Sequence, residues 1–424
     1  MEEIKNALAL IEMGQVDEAY ELLQVILQTA SHEEKFVIVE LFEEFGFIED
    51  AVQVLEQLLQ SYPTEGQIIT KLAELYIELN EDELAIENLN KINFDDPFYV
   101  HALLLLADMY EREGLFEVAE QKLLEARELV DKEEVLVIDF ALAELLLSIG
   151  QAQRAITFYE KISEHVEDIN GVSITERLAE SYTLLGNFEV ALVFYDELTN
   201  EDPNHLFKHA FVAYQANELN RAIELWKKTI EMDPAYHPVY FELASAYIEQ
   251  GDIKKAYDTA KIGVSYDEFN KRLFYIIGKA ALQLGEQSEA IGALQEAIAL
   301  DEDYKDAILL LASIYEQESD YEEMVEFLND IKKIGGADPL YDWKLAEAYN
   351  ELEEFEQAKG FYEEAYSHLK DDPAFLKEYG FFLIEDGSPK DGAVILRQYI
   401  NLKPDDLETI AFFERIHFSN DDEI

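Results

Sequence analysis

Apolar side chains recur along this chain with the spacing of an α-helix, and two such patterns meet within residues 103–126. The first pattern places Leu103, Leu106 and Tyr110 on one face, at intervals of three and four residues. The second pattern starts near Ala119, just after a glycine that suits the end of a helix. The segment is therefore predicted to be a helical hairpin.

The same arrangement of small residues and turns repeats along nearly the whole chain, at a mean interval of about 34 residues. The marker alanines of the second helices are Ala19, Ala51, Ala85, Ala119, Ala155, Ala191, Ala222, Ala256, Ala290, Ala358 and Ala393, with Met324 in the remaining place. The turns hold Gly14, Gly46, Asn80, Gly114, Gly150, Gly186, Asn217, Gly251, Gly285, Ser319, Glu353 and Gly387. Gly and Asn at most of these places predict left-handed helix ends. A fixed period of this length predicts a helical solenoid.

This pattern resembles the tetratricopeptide repeat (TPR), in which two antiparallel helices form each unit of about 34 residues. The best matches are Leu72-Ala73…Tyr76…Ala85…Pro97, Leu106-Ala107…Tyr110…Ala119 and Leu243-Ala244…Tyr247…Ala256. The resemblance covers residues 2 to about 404 and implies an all-α, right-handed superhelical solenoid of about twelve hairpins. We predict an N-terminal array at 1–203, a C-terminal array at 204–404, and a capping helix with a tail at 405–424.

Composition and charge narrow the classes of partner. The chain is 49% hydrophobic and carries 92 acidic against 32 basic residues, a net charge of −60, so it is a folded protein with an acidic surface. Such a field repels nucleic acid and anionic lipid and attracts basic partners. The N-terminal MEEIKNALALIEMG has acids where a signal peptide needs bases, and charges interrupt the most apolar run, 135–147. We therefore expect a cytoplasmic protein without a membrane segment.

No catalytic, cofactor or metal site is expected. The absence of Cys excludes disulfides, zinc–thiolate sites and thiol nucleophiles. His205 and His209 have the spacing of two metal ligands on one helix, but no third ligand stands nearby, which favours a structural role. The segment that begins at Asp301 opens like a calcium loop, but Ala312 stands where the bidentate glutamate should be. The repeats leave no separate catalytic domain, so an enzyme is not predicted.

The residue after the small position of each first helix is rotated off the packed face of its hairpin. In the repeat family, this face resembles the lining of a concave groove in which partners bind. The N-terminal repeats place five consecutive acids there: Glu40, Glu74, Asp108, Glu144 and Glu180. We predict a site for a basic segment, with an ordinary solvated helix face as the alternative.

The C-terminal repeats place aromatic and basic side chains on the corresponding face. They are Phe207, Phe211, Phe241, Tyr275 and Trp343, together with Arg272 and Lys279. Exposed aromatic rings are strong anchors for a peptide or helix, and the two bases suit a carboxylate or phosphate. The alternatives are burial of the rings against adjacent repeats and pairing of the bases with neighbouring acids.

These features predict a cytoplasmic adaptor or scaffold that binds a protein or peptide through its groove. One role within such a class is delivery of a client to a regulatory or proteolytic complex. A peptide-sensing regulatory protein is the main alternative, although the repeats start at residue 2 and leave no room for a preceding DNA-binding domain. A non-catalytic specificity subunit of an enzyme is a weaker alternative.

Overall fold

The computed structural model describes residues 2–132, 134–199 and 202–421. Within these residues the chain forms 25 α-helices and one two-stranded β-hairpin. The helices follow one another as antiparallel pairs, and the main contacts of each helix are with the next helix or the next but one along the chain. The chain is thus an all-α solenoid of twelve helical hairpins with a final helix, which confirms the predicted fold class.

The chain divides into two compact units, of which the first is Met1–Thr199. Its six hairpins are α1 (Glu2–Glu12) with α2 (Val16–Leu27), α3 (His32–Glu44) with α4 (Ile48–Ser61), α5 (Gly66–Glu78) with α6 (Asp82–Leu89), α7 (Tyr99–Arg112) with α8 (Phe116–Arg127), α9 (Glu134–Ser148) with α10 (Ala152–Ser163), and α11 (Ile174–Leu184) with α12 (Phe188–Glu197). Strands β1 (Asp168–Ile169) and β2 (Val172–Ser173) lie between α10 and α11.

The second unit is Asn200–Ile424. Its hairpins are α13 (Pro203–Gln215) with α14 (Leu219–Met232), α15 (Pro238–Gln250) with α16 (Ile253–Tyr266), α17 (Lys271–Leu284) with α18 (Gln287–Leu300), α19 (Lys305–Gln317) with α20 (Tyr321–Lys333), α21 (Pro339–Glu351) with α22 (Phe355–Leu369), and α23 (Pro373–Glu385) with α24 (Pro389–Leu402). Helix α25 (Leu407–Asp421) packs on α24 and ends the described chain.

All twelve turn residues adopt the left-handed backbone conformation, as predicted. The glycines among them have φ between 71° and 83°, and Asn80, Asn217, Ser319 and Glu353 have φ between 59° and 63°. The amide of the following residue then donates to a carbonyl five residues back, as in Glu354 to Tyr349. The reversal between the two helices therefore depends on backbone geometry that glycine adopts most easily.

This geometry predicts opposite effects for one substitution at two glycines. Gly114 has φ +74° and Gly292 lies within α18, and a Cβ at either would meet no atom within 4 Å. We expect Gly114→Ala to destabilise the chain by about 1 kcal/mol, because an L-residue is strained there. Gly292→Ala should stabilise it by about 0.5–1 kcal/mol, since alanine favours a helix. Melting followed by circular dichroism tests the pair, and shifts of the same sign would contradict the assignment.

Small residues at the helix crossings are buried, as Ala107 and Ala119 illustrate. One predicted marker is wrong: Ala393 is half-buried, and Gly392 occupies the contact position instead. A Cβ on Gly392 would lie 2.7 Å from the carbonyl oxygen of Gly380. Gly392 also stands five residues after Gly387, the same interval as in the other hairpins.

The β-hairpin between α10 and α11 was not predicted from the sequence. Asp168 pairs with Ser173 and Ile169 with Val172, and the turn between them is Asn170-Gly171, both with positive φ. Asn-Gly is the preferred pair for a two-residue hairpin turn. Ile169 is buried, so the hairpin contributes to the core of the fifth and sixth repeats.

Candidate functional site

The five predicted acids lie on successive first helices of the N-terminal unit, and we refer to them as the acidic face. They are Glu40 on α3, Glu74 on α5, Asp108 on α7, Glu144 on α9 and Glu180 on α11. Glu40 and Asp108 are exposed, whereas the other three are half-buried. The acidic face therefore contains two kinds of carboxylate, exposed and half-buried.

The half-buried acids belong to ion pairs between neighbouring repeats. Lys71 Nζ lies 2.6 Å from Glu43 of the preceding repeat and 3.2 Å from Glu74. Arg177 bridges Glu144 and Glu180 in the same manner, at 2.8 Å and 2.7 Å. Each of these partly buried bridges joins one base to two carboxylates, and together they tie α3 to α5 and α9 to α11.

A short sequence motif produces these bridges. Lys71 and Arg177 open the sequences Lys-Leu-Ala-Glu and Arg-Leu-Ala-Glu, and Lys344 opens a third copy in the C-terminal unit. The base and the acid stand three residues apart on one helix and therefore point to the same side. Lys344 Nζ lies 2.9 Å from Glu316 and 2.5 Å from Glu347, which repeats the geometry. Glu74 and Glu180 were predicted from the sequence as members of a binding face, whereas the bases Lys71 and Arg177 were not predicted.

Further polar contacts are made to the carboxylates of the acidic face. His101 Nε2 lies 3.4 Å from Glu74, and Arg112 Nε lies 3.4 Å from Asp108. The buried Tyr159 hydroxyl donates to Glu144, and burial together with this carboxylate raises the pKa of Tyr159 far above its usual value. Glu40 and Asp108 are the members of the set with the most exposed carboxylates.

Three of the five predicted rings of the C-terminal unit pack against aromatic residues about one repeat further along the chain. The ring centroids of Phe207 and Tyr236 are 5.4 Å apart, and those of Tyr275 and Tyr304 are 5.6 Å apart. Trp343 meets the ring of Phe375 edge-on at 5.5 Å and donates from Nε1 to Glu378 at 3.0 Å. Phe211 is the more exposed ring, at 38%. Phe207, Tyr275 and Trp343 therefore contribute to packing between repeats and keep part of their surface exposed.

The two predicted bases on this face differ in their surroundings. The Arg272 guanidinium stacks on Phe241, with 3.3 Å between its Cζ and the ring centroid, and lies 3.9 Å from Glu242. Burial raises the pKa of Glu242, and the positive charge of Arg272 opposes that effect. Lys279 is half-buried, and among the described residues no carboxylate lies within ion-pair distance of it.

A cluster of two carboxyl groups lies between α21 and α23. The Tyr362 hydroxyl and Trp343 Nε1 both donate to Glu378 Oε1, at 2.6 Å and 3.0 Å. Burial and the nearby charge of Glu378 raise the pKa of Glu347 to about 8, although Lys344 favours its ionised form. The environment of Glu347 therefore differs from that of the corresponding Glu74 and Glu180, because a second carboxyl group lies beside it.

Neither of the metal-like patterns forms a recognisable metal site. His205 and His209 are buried, with ring centroids 6.1 Å apart, and Arg221 Nη2 lies 3.0 Å from His209 Nε2. Asp301 accepts from Lys271 and from the amide of Asp303. Over the described ranges, no group of three His, Asp or Glu side chains is arranged to hold a metal ion.

The described helices contain 8 to 15 residues, whereas about 20 apolar residues are needed to span a bilayer. In the part of the chain that the structure covers, none of them combines the length and the apolar character needed to cross a bilayer.

Several parts of the chain match known repeat families. Residues 339–406 match "YpiA-like, C-terminal tetratricopeptide repeats" and residues 112–166 match "YpiA-like, tetratricopeptide repeats". Residues 46–109 and 275–342 match two families described as "Tetratricopeptide repeat". These matches lie in both compact units.

The proteins similar in sequence to this chain include a tetratricopeptide repeat protein. The TPR repeat-containing protein YpiA of Bacillus subtilis (strain 168) is 37% identical over 401 residues, which cover 94% of each chain. Lipopolysaccharide assembly protein B of Escherichia coli (strain K12) is 23% identical over 276 residues, 62% of this chain and 70% of that relative. A solved C-terminal part of a TPR protein from Cytophaga hutchinsonii is similar in fold, with a TM-score of 0.50 and 19% identity over 57% of this chain and 99% of that one.

The identity and coverage of the Bacillus relative settle the family, and tetratricopeptide repeat proteins mediate protein–protein interactions. The helical hairpins, their left-handed turns and their small crossing residues are the structural basis of this match. The chain belongs to the YpiA-like family of tetratricopeptide repeat proteins.

Proposed function

We propose that this protein is a cytoplasmic, non-catalytic adaptor or scaffold that holds a basic segment of a partner protein on its acidic face. A second contact on the aromatic rings and bases of the C-terminal unit would fix the same or another partner. Delivery of that partner to a regulatory or proteolytic complex is the role that we assign to such a two-contact adaptor.

The observation that carries the proposal is the arrangement of the exposed acids. Asp108 has 65% of its side chain exposed, and Glu40 is exposed two hairpins earlier. Lys71 compensates Glu74, which lies between them, and joins α5 to α3, while His101 of α7 lies 3.4 Å from the same Glu74. The helices that carry Glu40 and Asp108 are therefore each in polar contact with α5, which lies between them. Carboxylates on a rigid support recognise a basic partner without losing much conformational entropy.

The proposal predicts that two charge reversals suffice to abolish binding. We expect Glu40→Lys combined with Asp108→Lys to reduce recovery of the main captured protein at least tenfold, because a basic segment would then meet like charges. Affinity capture from the source cell with quantitative mass spectrometry measures the recovery. Circular dichroism should be unchanged, since neither acid belongs to a bridge between repeats.

A matched control distinguishes the effect of where the acids lie from the effect of the net charge of the chain. Glu49→Lys combined with Glu117→Lys alters exposed acids at the starts of the second helices α4 and α8, and it changes the net charge by the same amount. This control should capture the same protein as the unaltered chain. Equal losses in the two double variants would show that only the overall field matters, and equal recovery in all three forms would refute the acidic face as a binding site.

A further inference from the structure

An apolar cleft of about 430 Å³ lies beside the acidic face, between the starts of α7 and α9. Its walls include Val100 and Leu104 from α7, Leu129 and Val130 from the segment after α8, and Val137 and Ile138 from α9. Ile138 is buried, whereas 37% of Leu129 and 49% of Val137 are exposed. Apolar surface that remains accessible in a concave position is typical of a ligand site.

Two polar contacts hold the walls of this cleft in place. The Tyr99 hydroxyl of α7 donates to Glu125 of α8 at 2.5 Å. Arg127, at the end of α8, forms a bidentate ion pair with the buried Asp139 of α9, with 3.1 Å between Nη2 and Oδ2. Both walls are thus fixed to α8, so the cleft is formed before any partner arrives.

The charges around the cleft select the kind of partner. Residues 95–139 contain 13 acidic and 4 basic side chains. Glu134 lines the cleft, Glu74 lies 3.4 Å from the lining residue His101, and Asp108 stands one helical turn beyond Leu104. A second copy of this chain would bring another net charge of −60 to the cleft, and an anionic membrane would also be repelled.

We propose that the cleft receives one aliphatic side chain from a partner peptide whose flanking residues are lysine or arginine. The aliphatic side chain contacts Val100, Leu104 and Val137, while the flanking bases meet Glu134 and Asp108. This inference rests on the proposed function, since it names the chemistry of the segment bound at the acidic face. It adds an apolar anchor that the charges alone do not require.

Methyl-resolved NMR on the full chain tests the cleft with defined peptides. The probe is acetyl-Lys-Lys-Leu-Lys-Lys-amide, and the comparison peptides carry Gly in place of Leu or Glu in place of every Lys. We expect shifts of the Val100, Leu104 and Val137 methyls, at least fivefold weaker binding of the Gly peptide, and no shifts with the Glu peptide. Equal binding of the Leu and Gly peptides, or shifts confined to other methyls, would overturn the proposal.

One substitution distinguishes the apolar contribution to peptide binding from the electrostatic contribution. Val137→Asp adds a carboxylate, which by charge alone would strengthen binding of a basic peptide, so weaker binding can only reflect the lost apolar wall. We expect at least fivefold weaker binding of the Leu peptide to this variant and to Leu129→Asn. Val193→Asp alters a similarly exposed valine on α12 and should bind as the unaltered chain does.

The result for the cleft is independent of the result for the proposed function. One outcome is that Glu40→Lys with Asp108→Lys abolishes protein capture while Val137→Asp binds the peptide normally. That outcome supports the acidic face as a binding site and refutes the cleft as the site of an aliphatic side chain. If the double reversal leaves capture intact while the Leu peptide still shifts the three methyls, the cleft is a peptide site and the proposed function fails.

Discussion

Replacing Glu347 with glutamine is expected to stabilise the C-terminal unit at pH 9 and to leave its stability nearly unchanged at pH 5. The folded chain raises the pKa of this carboxyl to about 8 because the group is buried and faces Glu378. In the unfolded chain the pKa returns to about 4.5. The folded state therefore binds one more proton between these two values, and stability falls as the pH rises through this window.

Glutamine removes that dependence because it stays neutral at every pH. We expect Glu347→Gln to raise the free energy of unfolding at pH 9 by about 1–3 kcal/mol, or the melting temperature by roughly 2–4 °C for each kcal/mol. Thermal melts at pH 5, 7 and 9 measure the effect. Glu356→Gln, at an exposed position of α22, is the control and should give a curve parallel to that of the unaltered chain. A parallel curve for Glu347→Gln would show that Glu347 is ionised throughout.

The second large effect on stability is expected from the substitution of Arg127. Its guanidinium is the bidentate partner of Asp139, whose residue surface is only 2% exposed. Arg127→Met would leave this carboxylate buried without its counter-charge, which should cost about 2–4 kcal/mol. Denaturant unfolding of the N-terminal unit within the full chain measures the loss.

Two further variants test whether the loss of stability in Arg127→Met comes from the unpaired carboxylate. Arg127→Met combined with Asp139→Leu should recover most of the lost stability, because a buried apolar pair replaces a buried ion pair at little net cost. Arg154→Met removes the partner of Glu120 at a more exposed ion pair, and it should cost only about 0–1 kcal/mol. A double variant as unstable as Arg127→Met alone would show that arginine packing, not charge pairing, stabilises this position.

Local sequence signals were sufficient to predict the architecture, because each repeat contains its own turn residue and its own crossing residue. A turn residue such as Gly114 and a crossing residue such as Ala119 are separated by five positions, and this interval recurs through all twelve hairpins. Ala393 was chosen for its residue type, and the interval from Gly387 would have identified Gly392. The Asn170-Gly171 pair was a comparable local signal for the β-hairpin.

The candidate site was harder to predict, because its side chains have their partners in neighbouring repeats. Asp139 interrupts an apolar run of the sequence. Its role is clear only from the structure, in which it forms an ion pair with Arg127 at the end of α8. The bases Lys71 and Arg177 were detectable as a recurring motif once the repeats were aligned. The raised pKa of Glu347 depends on Glu378, which lies in the next hairpin, and no interval within one repeat reveals it.

The restriction of contacts to the next one or two elements also has a kinetic consequence. Each hairpin closes loops of about one repeat in length, so the entropy of loop closure is small and similar at every step. Folding can then begin at any well-packed hairpin and spread to its neighbours along several parallel routes. Hydrogen exchange in the native state should accordingly reveal segments that open one hairpin at a time, with amides of α9 and α10 exchanging independently of those in α1 and α2.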